Sequence, residues 1–199
     1  RKKAVRSNRV KINTLINKGM SEEEALNSLG NVKTLAAKIY KSKGIKVDYI
    51  DVGQGDAILV SLPNDEVMMI DAGAGLYYDE NIAWQNIKNT LNKRGISTID
   101  HLVITHNHGD HYGLVPNVVR NYRVLNCYDS GSIRTNWQYV NVMDSIANAG
   151  IKKQVVKVGD IIVEEGKLLV QVVGVQQSNN EDDNVNYQSI MIRIVYEDV

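Results

Sequence analysis

The sequence predicts one mixed α/β domain that follows a short basic helical segment, and three observations support this fold class. From residue 45 onward, short stretches rich in valine and isoleucine alternate apolar and polar residues, as half-buried strands do. One stretch with apolar residues at helical spacing separates two of these strands. Before that point the periodicity is helical and lysines are frequent. We therefore expect two parts, residues 1–44 and 45–199, of which only the second is long enough for a domain with a large core.

The first part, residues 1–44, is predicted to form two or three short helices. Ser21 and Glu24 form a capping box, and the helix they begin ends at Gly30. Up to Lys46 the chain carries twelve basic and three acidic residues, a net charge of +9, and the remainder carries a net charge of −9. We expect a linker or docking element of a larger parent protein. The alternative is a surface that binds phosphates or nucleic acid.

The elements of the second part follow in chain order. The stretch "KVDYIDVGQGDAILVSLP" predicts two strands around a glycine-rich turn, and "EVMMIDAG" predicts a third strand. Trp84, Ile87 and Leu91 stand at helical spacing, so a helix is expected there. "IDHLVITH" predicts the next strand, and "VVKVGDIIVEEGKLLVQVVGV" and "SIMIRIVYEDV" predict further strands near the end.

The loop "THNHGDH" carries most of the chemistry, because it follows a predicted strand and holds His106, His108, Asp110 and His111 within six positions. Imidazole and carboxylate ligands suit zinc, iron or manganese used for hydrolysis better than a structural site closed by thiolates. An H-x-H pair can direct two imidazoles at one ion, while Asp110 and His111 project differently and can hold a second ion about 3.5–4 Å away. The loop therefore predicts a hydrolase site with two divalent ions.

"ITHNHGDHYGL" resembles the H-x-H-x-D-H signature of the metallo-β-lactamase superfamily. Together with "IDVGQGDAILV" and "MMIDAG", it is similar to the branch that includes the β-lactamase-like domain of DNA-uptake competence proteins and the esterases that act on teichoic-acid phosphocholine. The resemblance covers roughly residues 47–199 and implies an αββα sandwich with a binuclear site at one edge. It implies that His106 and His108 hold one ion and that Asp110 and His111 hold the other, with zinc expected and manganese or iron as alternatives.

Several other polar residues are expected near the same edge of the sheet. By the resemblance, Asp71 would lie below the site and either orient a ligand or support the loop. Asp51, Gln54 and Asp56 lie in the glycine-rich turn, where they either satisfy backbone donors or take part in the site. His101 precedes the metal loop by five residues at the start of a predicted strand, and we expect a structural role for it.

The sequence departs from the superfamily pattern after the metal loop. The family ordinarily supplies two further histidines and a bridging aspartate, yet no histidine follows His111 in this sequence. We expect that the chain is truncated and that the sandwich is incomplete at its carboxyl end. Within "NCYDSGS", Asp129 is the candidate substitute ligand, while Ser130 and Ser132 could contact a phosphate; an ordinary turn is the alternative.

These features predict a metal-dependent hydrolase that acts on a phosphodiester or related ester, with nucleic acid or a wall polymer as substrate. Asp110 and His108 are the predicted catalytic residues, Asp110 as the group that orients a hydroxide. The alternative function is a degenerate binding or structural module without a full metal site. Cys127 has no base partner in the sequence pattern, and no G-x-S-x-G elbow occurs, so covalent catalysis is not expected. No run of apolar residues predicts a membrane span, and the localisation is left open.

Overall fold

The arrangement of strands and helices comes from a computed structural model, which describes residues 44–74, 79–176, 178 and 184–196. All of these residues belong to the Gly44–Val199 unit of the chain. The predicted helices of the first 44 residues lie outside the described residues, apart from Gly44 itself. The proposed division of the chain at residue 44 therefore stays a prediction.

The larger sheet contains six strands in the order of the chain. They are β1 Lys46–Tyr49, β2 Ile58–Ser61, β3 Val67–Ile70, β4 Thr98–Val103, β5 Arg123–Asp129 and β6 Lys152–Val155. The first three strands pair antiparallel, whereas β3 to β6 pair parallel. Parallel neighbours place their carboxyl ends at the same edge of a sheet, so the loops after β3, β4 and β5 meet there.

The connections between the parallel strands contain the helices. They are α1 Glu80–Lys93, α2 Gly109–Tyr112, α3 Val115–Asn121 and α4 Trp137–Asn148. The helix predicted around Ile87 is α1, which begins after the N-cap Asp79; the side chain of Asp79 accepts a hydrogen bond from the backbone N–H of Asn81. Ile87 and Leu91 of α1 are fully buried, as their helical spacing predicts, whereas Trp84 is partly buried and its neighbour Ala83 is fully buried.

Alternate residues of the central strands feed two separate hydrophobic cores, because successive side chains of a strand point to opposite faces. Leu59, Met69 and Leu102 pack with the helices on one face of the larger sheet. Their chain neighbours Val60, Met68 and Val103 pack on the other face against the second sheet. This double burial explains why the central strands read as continuous apolar runs in the sequence.

The second sheet is antiparallel and has the order β7 Ile161–Glu165, β8 Leu168–Gly174 and β9 Met191–Tyr196. A short 3₁₀ helix, Val185–Gln188, precedes β9. Helices, larger sheet and smaller sheet thus form three layers, and the predicted mixed α/β class is confirmed. Within the described ranges, no helix is both long and apolar enough to cross a membrane.

Candidate metal centre

The histidine loop begins where β4 ends, at the edge where the parallel strands have their carboxyl ends. Asp71 directly follows β3, and its backbone N–H donates to the carbonyl of Val103 at 2.8 Å. Residues 104–108 then form the loop, and α2 begins at Gly109. The structure therefore brings Asp71 and the H-x-H-x-D-H residues to one place although 34 residues separate Asp71 from Thr105.

Asp71 is the buried hydrogen-bond centre beneath the loop. Its Oδ1 accepts from the backbone N–H of Thr105 at 2.7 Å, and its Oδ2 accepts from Thr105 Oγ1 at 2.6 Å and from His111 Nδ1 at 2.8 Å. Its φ of 60° lies in the left-handed region, which is costly for a residue other than glycine and occurs mostly where surrounding contacts fix it. Burial raises the pKa of Asp71, and the hydrogen bonds from His111 and Thr105 oppose that rise.

His111 is oriented by this carboxylate. Because its Nδ1 donates to Asp71, the lone pair of the neutral ring lies on Nε2, which is 3.9 Å from Asp110 Oδ2. Asp56 Oδ2 lies 3.6 Å from His111 Nδ1. Burial lowers the pKa of His111, but the hydrogen bond to Asp71 and the negative charges of Asp71, Asp110 and Asp56 outweigh it, so the pKa is raised.

His106 and His108 face each other with ring nitrogens rather than with ring carbons. His106 Nε2 lies 3.2 Å from His108 Nδ1, and the two rings meet nearly edge to face. Two imidazole ligands of a tetrahedral zinc ion, each at 2.0–2.1 Å, would be about 3.3 Å apart. Burial, followed by the nearby charges of His111 and His108, lowers the pKa of His106 to about 4. A neutral imidazole is the form that binds metal, so the donor chemistry fits a divalent ion.

The third imidazole belongs to the same cluster. The ring centres of His106 and His111 are 4.0 Å apart. Asp110 lies beside them, and its side chain is 30% exposed to solvent. The structure thus brings together four of the five side chains that the sequence predicts as metal ligands, the fifth being Asp129.

Oxygens of Asp56 and Asp71 and one ring nitrogen of His111 also lie within 4.8 Å of one another. The nitrogen nearest to both carboxylates is Nδ1, which donates its proton to Asp71. An ion at this position would have to displace that proton, so we assign the group to hydrogen bonding rather than to metal coordination. Asp71 is thus hydrogen-bonded both to His111, a predicted ligand, and to Thr105 of the loop, and its role at a metal site stays a prediction.

The glycine-rich turn packs directly against the backbone of the metal loop. The N–H of Asp56 donates to the carbonyl of Asp110 at 3.0 Å. A Cβ atom on Gly55 would lie 2.2 Å from that oxygen, and one on Gly73 would lie 1.6 Å from it. Since both distances are far below van der Waals contact, only glycine permits this approach.

Two other residues of that turn make no hydrogen bond to the imidazoles among the contacts of the described residues. Asp51 is exposed, and its Oδ1 accepts from the N–H of Gly53 at 3.0 Å, which is an ordinary turn contact. Gln54 is also exposed. Of the three turn residues considered from the sequence, the structure brings Asp56 to the site.

Asp129 ends β5 and is buried, but its carboxylate is engaged elsewhere. Oδ2 accepts from Lys153 Nζ at 2.6 Å and Oδ1 accepts from the N–H of Gly131 at 3.0 Å. Burial lowers the pKa of Lys153, but the hydrogen bond and charge of Asp129 outweigh this effect and raise it. Metal coordination by Asp129 would have to compete with this ammonium group, so its role as a ligand stays a prediction.

The loop after Asp129 reaches the metal loop through other groups. Asn107 Nδ2 donates to the carbonyl of Ser132 at 2.7 Å, and Arg134 donates to Gln188 Oε1 at 3.1 Å. Ser132 Oγ and Gln188 Nε2 are buried and have no hydrogen-bond partner among the described residues. Buried polar groups are seldom left unpaired, so both atoms could serve a bound polar molecule.

Thr105 and Ser189 both contact His106, and the sequence interpretation missed them. Thr105 Oγ1 lies 3.1 Å from His106 Nδ1, and Ser189 Oγ lies 3.3 Å from the same nitrogen. Thr105 could have been suspected because it stands inside the loop. Ser189 had only a weak signal, its place in the stretch "NYQSIMI", which resembles a strand motif of the superfamily.

His101 and Cys127 lie away from this chemistry. His101 contacts Tyr128 Oη at 3.1 Å and Glu66 Oε2 at 3.2 Å, as expected for a structural histidine. Cys127 is buried, and burial raises the pKa of its thiol to about 12. A thiol with that pKa is almost entirely protonated at neutral pH and is a poor nucleophile.

The chain is similar in sequence to known proteins. The family model of the metallo-beta-lactamase superfamily matches residues 50–173. The chain is 26% identical over 129 residues to ComE operon protein 3 of Bacillus subtilis (strain 168), covering 59% of this chain and 16% of that protein. It is 32% identical over 104 residues to the lactamase-like protein notP of Aspergillus sp. (strain MF297-2), covering 51% of this chain and 30% of that protein. The chain thus spans less than a third of the length of either relative.

Among solved structures, the chain is similar to an archaeal metallo-beta-lactamase superfamily protein, ST1585 from Sulfolobus tokodaii. The two share 13% sequence identity at a TM-score of 0.45, over 76% of this chain and 60% of that one.

Proposed function

The chain belongs to the metallo-beta-lactamase superfamily, and from this premise we propose that it is a metal-dependent hydrolase of phosphodiesters or related esters. The observation that carries the proposal is the facing pair of ring nitrogens, His106 Nε2 and His108 Nδ1, 3.2 Å apart. Beside this pair, His111 is held through Nδ1 so that its Nε2 is available. A surface cluster of histidines without a ligand role would not need three rings oriented in this way.

His106 and His108 would hold one divalent ion, and Asp110 and His111 would hold a second. Zinc is the proposed metal, with manganese or iron as alternatives. When bound, such ions lower the pKa of water to about 7 and so supply hydroxide at neutral pH.

The remaining parts of the reaction belong to the protein. Asp71 fixes the orientation of His111, and through Thr105 it supports His106. Asp110 is partly exposed and would orient the attacking hydroxide, the role expected for it from the sequence. The unpaired Ser132 hydroxyl can donate to a substrate oxygen.

Nucleic acid and a wall polymer that carries phosphocholine are the two proposed substrate classes. Both present a phosphodiester, which suits two adjacent cations. The basic first part of the chain, with a net charge of +9 through Lys46, favours a polyanion such as nucleic acid.

A test measures the metal content of the chain and its hydrolysis of three substrates: bis-nitrophenyl phosphate, single-stranded DNA and nitrophenyl-phosphocholine. We expect His108→Ala and Asp110→Ala each to lower the rate at least about 100-fold, because each removes a ligand. Asp144→Ala, on the exposed face of α4, is the matched control and should keep the rate. Undiminished hydrolysis in both loop variants would contradict the proposed site.

The second candidate function is a binding module that kept the fold without a full metal site. The ion pair of Asp129 with Lys153 favours it, because the internal substitute ligand is already occupied. Zinc or manganese that fails to bind after loading would support this module and would exclude the hydrolase. Two tightly bound ions per chain would exclude the module.

A further inference from the structure

We propose that Ser189 is a positioning residue for the metal centre, which fixes the ring of His106 so that the lone pair of Nε2 points to the ion. The inference rests on the proposed metal site and adds to it a residue from the segment that leads into the second sheet. Ser189 stands 83 residues away from His106 in the chain, at the junction between the 3₁₀ helix and β9.

Two hydroxyl groups, of Ser189 and Thr105, lie beside His106 Nδ1, and each carries a single proton. Ser189 Oγ donates its only proton to the carbonyl of Asn186 at 2.8 Å. Thr105 Oγ1 donates its only proton to Asp71 Oδ2 at 2.6 Å. Neither hydroxyl has a second proton, so each can only accept a hydrogen bond from a third group.

That third group is His106 Nδ1, which lies 3.1 Å from Thr105 Oγ1 and 3.3 Å from Ser189 Oγ. Since both oxygens must accept, Nδ1 must be the donor and carry the proton. A neutral imidazole protonated on Nδ1 has its lone pair on Nε2, the atom that faces His108 Nδ1 at 3.2 Å. The two hydroxyls therefore select the tautomer that binds metal.

Ser189 adds something that Thr105 cannot provide alone. Thr105 precedes His106 in the same loop, so a movement of that loop would carry both residues together. Ser189 belongs to a separate segment, which is anchored where the N–H of Ile190 donates to the carbonyl of Thr105 at 3.0 Å. Two acceptors from two segments restrict the rotation of the imidazole, which one acceptor leaves free to pivot.

The position of Ser189 is itself well determined. The side chain of Asn184 accepts from the N–H of Asn186 and so caps the 3₁₀ helix. Gln188, at the end of that helix, is buried and bonded to Arg134. The hydroxyl of Ser189 is thus presented to His106 by a segment that is fixed on both sides.

The test compares Ser189→Ala with Ser189→Thr, which keeps a hydroxyl, and with Ser145→Ala as the matched control. The hydroxyl of Ser145 donates to the carbonyl of Val142 within α4 and contacts no histidine. The first readout is zinc affinity, measured by competition with a chromophoric chelator. We expect Ser189→Ala to weaken it about 10-fold, the lower end of the range for such supporting partners, because Thr105 remains. Ser189→Thr and Ser145→Ala should stay within about twofold of the parent chain.

The second readout is long-range ¹H–¹⁵N correlation spectroscopy of the metal-free protein. We expect the ring of His106 to show a protonated Nδ1 in the parent chain and in Ser189→Thr, and a mixture of tautomers in Ser189→Ala. The proposal would be overturned if Ser189→Ala had the same zinc affinity as the parent chain and unchanged ring signals of His106. If Ser189→Ala fails to fold, Ser189→Cys provides a weaker acceptor in its place and should give an intermediate zinc affinity.

These readouts separate the proposal from the proposed function. A chain that binds zinc but hydrolyses none of the three substrates would refute the hydrolase and leave the role of Ser189 intact. Hydrolysis by the parent chain, together with an unchanged zinc affinity in Ser189→Ala, would support the hydrolase and refute the role of Ser189.

Discussion

At the scale of single residues, one buried carboxylate organises the candidate centre. Asp71 accepts three hydrogen bonds, two from Thr105 and one from His111. Through these bonds it orients His111 directly and His106 by way of the threonine hydroxyl. A carboxylate is well suited to this position because it offers acceptor sites only, and all three surrounding groups are donors.

Replacing Asp71 with asparagine should therefore cost more than its similar shape suggests. Asp71→Asn puts an NH₂ group where either Thr105 or His111 must donate, so one donor is left facing another. We expect zinc affinity to fall about 10- to 100-fold and the free energy of unfolding to fall by about 1–3 kcal/mol. Chelator competition and urea denaturation measure the two quantities, and Asp144→Asn on the exposed face of α4 is the control. An unchanged zinc affinity would show that Asp71 does not orient the ligands.

At the scale of elements, two glycines allow the metal loop to pack closely against the turn between β1 and β2 and against the segment after β3. Gly55 and Gly73 both approach the carbonyl oxygen of Asp110. Two backbone hydrogen bonds also join this region to the segment after β3: the N–H of Ala72 donates to the carbonyl of His111, and the N–H of Leu114 donates to the carbonyl of Ala72. The four-residue helix α2 is thus held by the segment after β3, since a helix of one turn has little stability of its own.

The variant Gly73→Ala tests this packing. Its methyl group would lie 1.6 Å from the carbonyl oxygen of Asp110, so the loop must move away. We expect a loss of about 2–3 kcal/mol in the free energy of unfolding together with weaker zinc binding, because the displaced residue is itself a proposed ligand. Gly44→Ala is the matched control, since a Cβ there has no atom within 4 Å. Equal stability of the two variants, measured by urea denaturation, would contradict the packing described.

At the scale of the whole molecule, the metal loop lies where the two sheets meet. Thr105 lies just after β4 of the larger sheet, and its carbonyl accepts from the N–H of Ile190, which directly precedes β9 of the smaller sheet. Tyr128 and Val103 of the larger sheet pack in the same core as Val170 and Val172 of the smaller one. An ion held by the loop should therefore stabilise the packing of both sheets, because it binds only the folded arrangement.

Zinc should accordingly raise the midpoint of thermal unfolding, and the effect should depend on pH. At a free zinc concentration of 100 times Kd the stabilisation would be about 2.7 kcal/mol. The raised pKa of His111 means that its ring is still protonated at pH values where an ordinary histidine is neutral. Zinc must displace that proton, so the stabilisation should be large at pH 8 and should decline as the pH falls through the pKa of His111.

Differential scanning calorimetry with and without zinc at pH 6, 7 and 8 measures this dependence. The His111→Ala variant is the control, because it removes the ring whose proton zinc must displace, and its zinc-induced shift should depend much less on pH. A zinc-induced shift of equal size at all three pH values would refute the proton competition.

The sequence by itself determined the features that depend on near neighbours. Short apolar runs predicted the strands around Leu59, Met69 and Leu102, and a 3.6-residue period predicted the helix around Ile87, because both patterns follow from which faces of an element are buried. The predicted metal ligands could be recognised for the same reason, since His106, His108, Asp110 and His111 are near neighbours in the chain.

Only the tertiary structure decided what these elements bring together. Asp71 meets Thr105 across 34 residues, Ser189 meets His106 across 83, and Asp129 meets Lys153 rather than the imidazoles. Such contacts are set by strand order, strand register and the packing of one sheet on the other, and none of these leaves a periodic signal in the sequence. For this reason the loop chemistry could be predicted from the sequence, whereas the groups that orient each imidazole could be found only in the folded chain.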